Sequence, residues 1–260
     1  MNLLDKIVSN KKLEVSERKK AFPLPKIIEE IEFYEVRDFK ASLKHRGISI
    51  IAEIKHKSPS AGIIKENFDP VRIARIYEKN GADAVSVLTD EKFFGGKDRF
   101  LTDIKQSVAL PILRKEFIVD QYQIYESKFL GADCLLLIAR ILSSDQLNDF
   151  IQIARSIGLA ALVEVHTFHE LEEVLNTSVE IIGINNRNLD TLEVSIKNSF
   201  ALIKMIPQGY TVVSESGIRT RDDIIALEQA GFDAVLIGES LMQEKEVGKK
   251  LRELTGERSI

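Results

Sequence analysis

The sequence predicts an α/β fold, a (β/α)8 TIM barrel with an N-terminal helical extension, and three observations carry that expectation. From Ile48 onward, short apolar runs alternate with amphipathic stretches of roughly 10–15 residues, the pattern of βα units. Eight runs are present: Ile48–Ile54, Ala84–Leu88, Leu110–Leu113, Cys134–Ile138, Ala160–Val165, Ile181–Ile184, Thr211–Val213 and Ala234–Ile237. Three of them are introduced by one device, Gly81-Ala82-Asp83, Gly131-Ala132-Asp133 and Gly231-Phe232-Asp233. In it Gly supplies the left-handed turn that ends a helix, and Asp starts the return into a strand. The runs are also continuously apolar, as a parallel sheet covered by helices requires. A doubly wound open sheet is the alternative, but no G-x-G-x-x-G turn follows the first run, so no dinucleotide site is indicated. The expected organisation is a single domain over residues 1–260, with the extension at 1–46 and the barrel at 47–260.

Composition sets the outer limits. With 44% apolar and 29% charged residues, the chain can bury a sizeable core. A formal charge of −4 gives no reason to expect a nucleic-acid partner. No apolar run reaches membrane-spanning length, so no membrane partner is expected. The start, MNLLDKIVSNKK, is too polar for a secretory signal. Cys134 is the one cysteine, which rules out an internal disulfide and a cysteine-based metal cluster. A cytoplasmic location follows as the default.

Taken in order, the extension reads as helical. Leu3, Leu4, Ile7 and Val8 recur at helical spacing, and Phe22-Pro23-Leu24-Pro25 breaks that helix. A second helix is expected from Pro25 to about Ile31, with proline at its start. Asp38 is placed to cap a short third helix through Lys44. Together they are expected to form a peripheral apron rather than a separate domain.

Polar residues collect at one end of the apolar runs. The first run ends in Glu53 and Lys55, which share a face with Ile51 because strand positions two apart do. Pro59 and Gly62 then forbid a regular continuation. The second run leads into Thr89-Asp90-Glu91 and Phe93-Phe94-Gly95-Gly96, and the third into Arg114-Lys115-Glu116-Phe117. Glu164 is next to last in the fifth, Asn185-Asn186-Arg187 follow the sixth, and Ser214-Glu215-Ser216-Gly217 the seventh. Gly238-Glu239-Ser240 follow the eighth. The opposite ends carry only Gly-Ala-Asp turns or Pro111. A barrel enzyme with its site on the C-terminal face predicts this asymmetry.

Taken singly, most of these residues have an ordinary reading. Glu53 with Lys55 could be a simple ion pair at a strand exit, and Lys115 and Glu116 solvated loop charges. Glu164 is different: between Val163 and Val165 a carboxylate costs several kcal/mol unless partnered, which favours a functional role. His56, His166 and His169 show no metal-ligand geometry and receive no chemistry. Cys134 reads as a small buried apolar group. The glycine turns after the seventh and eighth runs sit where such barrels commonly seat a phosphate.

These residues, in this order, resemble the indole-3-glycerol-phosphate synthase family. The most specific stretch is Ile51-Ala52-Glu53-Ile54-Lys55-His56-Lys57-Ser58-Pro59-Ser60. Leu113-Arg114-Lys115-Glu116-Phe117-Ile118, Leu162-Val163-Glu164-Val165 and Gly183-Ile184-Asn185-Asn186-Arg187 also match, as do Ser214-Glu215-Ser216-Gly217-Ile218 and Leu236-Ile237-Gly238. Two departures are mild: Glu116 stands where the family often has Asp, and Glu239 where many members have Ser.

The resemblance implies a cofactor-free reaction on 1-(2-carboxyphenylamino)-1-deoxyribulose 5-phosphate: ring closure, loss of carbon dioxide, then loss of water. Lys115 is implied as general acid for ring closure and Lys55 as holder of the substrate carboxylate and candidate second acid, with the two roles exchangeable. A lysine with a pKa of about 10.4 is a weak acid, so mutual repulsion of these two ammonium groups is expected to lower it. Glu164 is the implied base for dehydration, with Glu53 and Asn185 orienting the substrate. Ser58, Arg187 and Glu215 are implied substrate contacts, with Glu215 holding Lys55 or a hydroxyl. Phe94, Phe117 and Leu136 would wall the aromatic ring. Ser216, Gly217, Leu236, Gly238 and Glu239 would seat the phosphate, with the Glu239 side chain turned outward. A monomer is expected, with association with other pathway enzymes left open. Phosphoribosylanthranilate isomerase, which uses an early Cys, fits less well because the first run has none. A non-catalytic sugar-phosphate-binding barrel would not need Lys55, Lys115 and Glu164.

Overall fold

The computed structural model describes residues 2–44, 47–59, 61–65 and 67–256; Ser60 of the first-strand motif, and the expected domain edges at residues 1, 45–46 and 257–260, lie outside them. Eight parallel strands close into a barrel. They are β1 (Ser49–Ile54), β2 (Ala84–Leu88), β3 (Ile112–Lys115), β4 (Cys134–Ile138), β5 (Ala160–Val165), β6 (Ile181–Asn185), β7 (Thr211–Glu215) and β8 (Ala234–Ile237). Closure is made by β1 and β8, with Ser49 opposite Ala234 and Ala52 opposite Ile237.

The Gly-x-Asp device does more than turn the chain. Gly81, Gly131 and Gly231 have φ of 89°, 93° and 98°, the left-handed region where a side chain is strained. The Asp that follows reaches sideways to the strand before it. Asp83, Asp133 and Asp233 accept the backbone N–H of Ile50, Ile112 and Val212 at 2.7, 2.9 and 2.8 Å. Each carboxylate thereby satisfies a donor at the opening of a neighbouring strand, which would otherwise be orphaned.

Three strands run further than the apolar pattern predicts. The third, expected at Leu110–Leu113, is Ile112–Lys115, the sixth extends from Ile184 to Asn185, and the seventh from Val213 to Glu215. Pro111 has no N–H to give a ladder, which delays the start of β3. Its polar end stays in the sheet because Arg114 is fully buried behind it, donating to Glu126 at 2.8 Å and Asp98 at 3.0 Å.

Inside the ring, Ile51, Ala84, Leu113, Cys134, Leu136, Leu162, Ile181, Val213, Ala234 and Leu236 pack together. A larger apolar layer lies between the sheet and the surrounding helices. The extension forms α1 (Leu3–Ala21), α2 (Leu24–Ile31) and α3 (Phe39–Ser42), with Asp38 capping α3 by accepting from Ala41 N–H at 2.8 Å. It is more than an apron. Phe39 and Leu43 insert into the interior cluster and plug the N-terminal end of the barrel. Helix α1 lies at the opposite end. Its Lys11, 1% exposed, pairs with Asp90 after β2 at 3.0 Å and with Glu116 after β3 at 3.1 Å.

Among the described residues the remaining α-helices are α4 (Pro70–Lys79), α5 (Glu91–Phe94), α6 (Asp98–Lys105), α7 (Tyr122–Phe129), α8 (Ser144–Ser156), α9 (Phe168–Leu175), α10 (Lys197–Leu202), α11 (Arg221–Ala230), α12 (Glu239–Met242) and α13 (Val247–Thr255). Among the described residues no helix is long and apolar enough to cross a membrane.

Candidate active site

Strand geometry alone explains why the polar residues converge. Residues two apart share a face, so stepping from the interior cluster toward the C-terminal end by two gives the next inward layer. From Ile51 the step reaches Glu53 and then Lys55; from Leu113 it reaches Lys115, from Leu162 Glu164, from Ile181 Gly183 and Asn185, and from Val213 Glu215. All of these except Gly183 line one cavity of about 550 Å³ together with Phe94, Phe117, Leu136, Arg187, Ser216, Gly217, Leu236, Gly238 and Glu239. Ser58 is the exception. It is buried in the loop after β1, where its hydroxyl accepts from Ala61 N–H at 3.1 Å, and it does not line the cavity.

The charged groups form two clusters. Lys55 donates to Glu53 at 2.7 Å. Lys115 donates to Glu164 at 2.8 Å and to Glu215 at 2.6 Å. Glu215 therefore holds Lys115, not Lys55. Glu164 and Glu215 come from strands on either side of β6, and Gly183 lies between them, opposite Glu164 in the ladder. A Cβ on Gly183 would lie 2.1 Å from Glu215 Oε1, so only glycine leaves room for that carboxylate. Gly238 does the same for Glu53, whose Oε1 would lie 2.3 Å from an added Cβ.

This arrangement reverses one expectation. Burial pushes the Lys115 ammonium down, but Glu164, Glu215 and Glu53 outweigh it and hold the amine above its usual range. The lysine–lysine repulsion expected to acidify it does not govern here, because each ammonium rests on carboxylates. One ammonium between two carboxylates neutralises them unequally. Burial pushes the Glu164 carboxyl up, yet Lys115 and then His166 more than reverse this and hold it below the usual carboxylate range. Burial, aided by repulsion from Glu164 and opposed by Lys115, pushes Glu215 up to about 7. Glu215 Oε1 is buried without a hydrogen-bond partner.

Two walls complete the cavity. On one side Phe94 and Phe117 meet with ring centroids 5.9 Å apart. On the other, the turn after β7 holds Ser216 at φ 68° and Gly217 at φ 82°, fixed by Asn186, whose amide donates to the Ser216 carbonyl at 3.0 Å. Glu239 is not turned outward as expected. It reaches Arg187, whose guanidinium donates to it at 3.2 Å and to the Leu192 carbonyl at 3.3 Å, a charge-assisted pair at the mouth. Sequence reasoning missed Gly183, although a glycine inside a strand signals close approach. It also missed the apolar lining residues Leu189, Val194 and Ile218, whose loop positions carry no pattern.

Comparison with known proteins agrees with this geometry. Residues 4–254 match the family model described as indole-3-glycerol phosphate synthase. A protein of that name from Alkaliphilus metalliredigens (strain QYMF) is 51% identical over 254 residues, covering 97% of each chain. Another, from Thermoanaerobacter sp. (strain X514), is 53% identical over 241 residues, covering 93% of this chain and 92% of its own. Solved structures share the fold at low identity. The 3-hexulose-6-phosphate synthase of Salmonella typhimurium has a TM-score of 0.66 at 11% identity, covering 80% of this chain and 97% of its own. A mutant tryptophan synthase alpha-subunit from Pyrococcus furiosus has a TM-score of 0.62 at 15% identity, covering 80% of this chain and 98% of its own. With half its residues identical over nearly its full length to two proteins of that name, the chain belongs to the indole-3-glycerol phosphate synthase family.

Proposed function

We propose that the chain makes indole-3-glycerol phosphate from 1-(2-carboxyphenylamino)-1-deoxyribulose 5-phosphate by general acid–base catalysis with Lys115, Lys55 and Glu164. As a carboxy-lyase of tryptophan biosynthesis it joins a ring carbon to a ketone carbon, releases carbon dioxide and then eliminates water. The observation that carries the assignment of roles is Lys115 held between Glu164 and Glu215 at 2.8 and 2.6 Å, inside the cavity that also contains the Lys55–Glu53 pair.

In the ring-closing step the ring carbon bearing the carboxylate attacks the ketone carbon, and the carbonyl oxygen gains negative charge. Lys115 turns from its carboxylates and gives that oxygen a proton. A strongly held ammonium is a poor acid in the resting site, so the substrate oxygen must replace Glu164 as its partner before transfer. Lys55 leaves Glu53 to hold the substrate carboxylate, which departs as carbon dioxide while its electron pair restores the aromatic ring. Glu164 then removes a carbon-bound proton as the hydroxyl leaves, protonated by Lys55, as water. Glu215, titrating about neutrality, resupplies the proton that Lys115 has given up.

Phe94, Phe117 and Leu136 wall the aromatic ring, and Glu53 and Asn185 orient the hydroxyls. Backbone groups of Ser216, Gly217, Gly238 and Glu239, beside Leu236, seat the phosphate. Arg187 exchanges Glu239 for a substrate anion. The reading includes a monomer acting in the cytoplasm, with no nucleic-acid or membrane partner.

The test follows product formation by fluorescence with purified protein. Lys115→Ala is expected to lower kcat by at least about 10³-fold, within the range general acids supply, while the affinity for inorganic phosphate changes by less than about tenfold. Turnover near the wild-type rate in Lys115→Ala rejects the assignment.

A further inference from the structure

One buried histidine contacts Glu164 without a part in the reaction above. His166 is 8% exposed and lies just past the end of β5, two residues after Glu164, so its side chain leaves the chain on the same side as Glu164. Its Nε2 lies 3.2 Å from Glu164 Oε1, and its Nδ1 lies 3.2 Å from Glu170 Oε2. A carboxylate faces each ring nitrogen, and two negative neighbours favour a proton on both, the imidazolium form. The outer side is fixed: Glu170, in the first turn of α9, also accepts the His166 backbone N–H at 2.6 Å. Asn198 of α10 donates to the His166 carbonyl at 3.1 Å. The contact to Glu164 is of another kind. Nε2 is buried and is not aligned for a strong hydrogen bond, so its hold on that carboxylate at 3.2 Å is chiefly electrostatic.

We propose that His166 is a positioning residue, the cation that keeps Glu164 in place as an ionised base once Lys115 has turned to the substrate. The inference rests on the reading of Glu164 as base. In the resting site the two Glu164 oxygens have separate partners, Oε2 facing Lys115 at 2.8 Å and Oε1 facing His166 at 3.2 Å. The first partner is mobile by function. When it leaves, a buried carboxylate with no cation either follows it or takes up a proton, and both outcomes remove the base. The second partner sits on the far side of the carboxylate, clamped to α9, and stays. It leaves Oε2, the oxygen that Lys115 has vacated, to face the carbon-bound proton.

The pH profile follows from the groups around the ring. Glu164 faces it from β5 and Glu170 from α9. Arg140, after β4, acts on Glu170 and pairs with Asp190 from the loop after β6 at 2.6 Å. Lys115 of β3 acts through Glu164. Burial pushes the imidazolium down, but Glu164 and Glu170 reverse this and raise it to about 9. Lys115 is held above the usual amine range, so His166 loses its proton first as pH rises.

The experiment compares kcat and KM across pH 6–10 for wild type, His166→Gln, Glu170→Gln and Glu164→Gln. For His166→Gln we expect kcat about 10- to 100-fold lower, the range seen when an outer-shell partner is removed, KM within about threefold, and no basic limb near pH 9. Glu170→Gln, which keeps the imidazole but removes its outer carboxylate, should move that limb down by about one pH unit. A purely structural histidine would not move the limb. His166→Gln with unchanged kcat, or with lowered kcat and the wild-type limb, overturns the proposal. If His166→Gln does not fold, an unmoved limb in Glu170→Gln overturns it. Glu164→Gln separates the two readings: inactive beside an unaffected His166→Gln, it leaves Glu164 as base and removes His166 alone; active, it removes both.

Discussion

Gly183 has no side chain, and the carboxylate beside it depends on that. Ala at this position would set a methyl 2.1 Å from Glu215 Oε1, inside a ladder that cannot move aside. Gly183→Ala is therefore expected to push Glu215 off Lys115 and lower kcat by about 10- to 100-fold, the cost of an ångström-scale misplacement. The fold should persist, since β6 keeps its backbone pairing. Steady-state kinetics with a thermal melt checks this: a wild-type kcat in a folded Gly183→Ala protein contradicts it. Residues of this kind mark what the sequence could and could not convey. Glu164 was legible because a carboxylate between two valines needs a reason. The partners of Lys115 were not, because Glu164 and Glu215 lie 49 and 100 positions away along the chain. That distance also hid the sign of the Lys115 shift. The sequence places two lysines in one mouth but does not say which carboxylates reach them first.

Helix α1 was read as an edge element, yet it carries one of the most deeply buried cations of the chain. Lys11 is 1% exposed, and its partners Asp90 and Glu116 have fully buried side chains. Glu116 directly follows Lys115, so the helix helps fix the strand end that presents the proposed acid. Nothing in the local pattern announces this, since Lys11 stands in the polar stretch Asn10-Lys11-Lys12 and is buried only by the barrel rim. Removing one partner of a buried ion pair leaves the others uncompensated. Lys11→Met should cost about 3–5 kcal/mol of stability on that ground, read by urea denaturation. Adding Glu116→Gln should recover part of the loss, because one of the stranded charges is gone. A Lys11→Met protein within about 1 kcal/mol of wild type would show that solvent reaches this clasp.

At the scale of the molecule, the barrel separates two tasks. One end is plugged by Phe39 and Leu43 over an apolar interior; the other gathers Glu53, Lys55, Lys115, Glu164 and Glu215 in one cavity. This division was legible, because the polar residues fall only after the apolar runs. Its energetic consequence was not, since it depends on which group holds which proton. Glu164 is held below its ordinary 4.5, so its contribution to stability is present above that pH and is lost as pH falls through its folded value. Glu215 is raised from 4.5 to about 7, so its contribution is complete below 4.5 and is lost as pH rises through 7. His166 is raised from 6.5 to about 9, so its contribution is complete below 6.5 and is lost as pH rises through 9. The three together make the site most stabilising just above pH 4.5 and progressively less so up to about pH 9. Urea denaturation of wild type, Glu215→Gln and His166→Gln between pH 5 and 9.5 separates the terms. The wild-type excess over Glu215→Gln should fall between pH 5 and 7, and that over His166→Gln between pH 6.5 and 9. Neither slope can exceed about 1.4 kcal/mol per pH unit, the limit for one proton. Differences that stay flat across both windows would mean that the two groups hold the same protons folded and unfolded, and that the charge pairs at the mouth do not set the site's protonation.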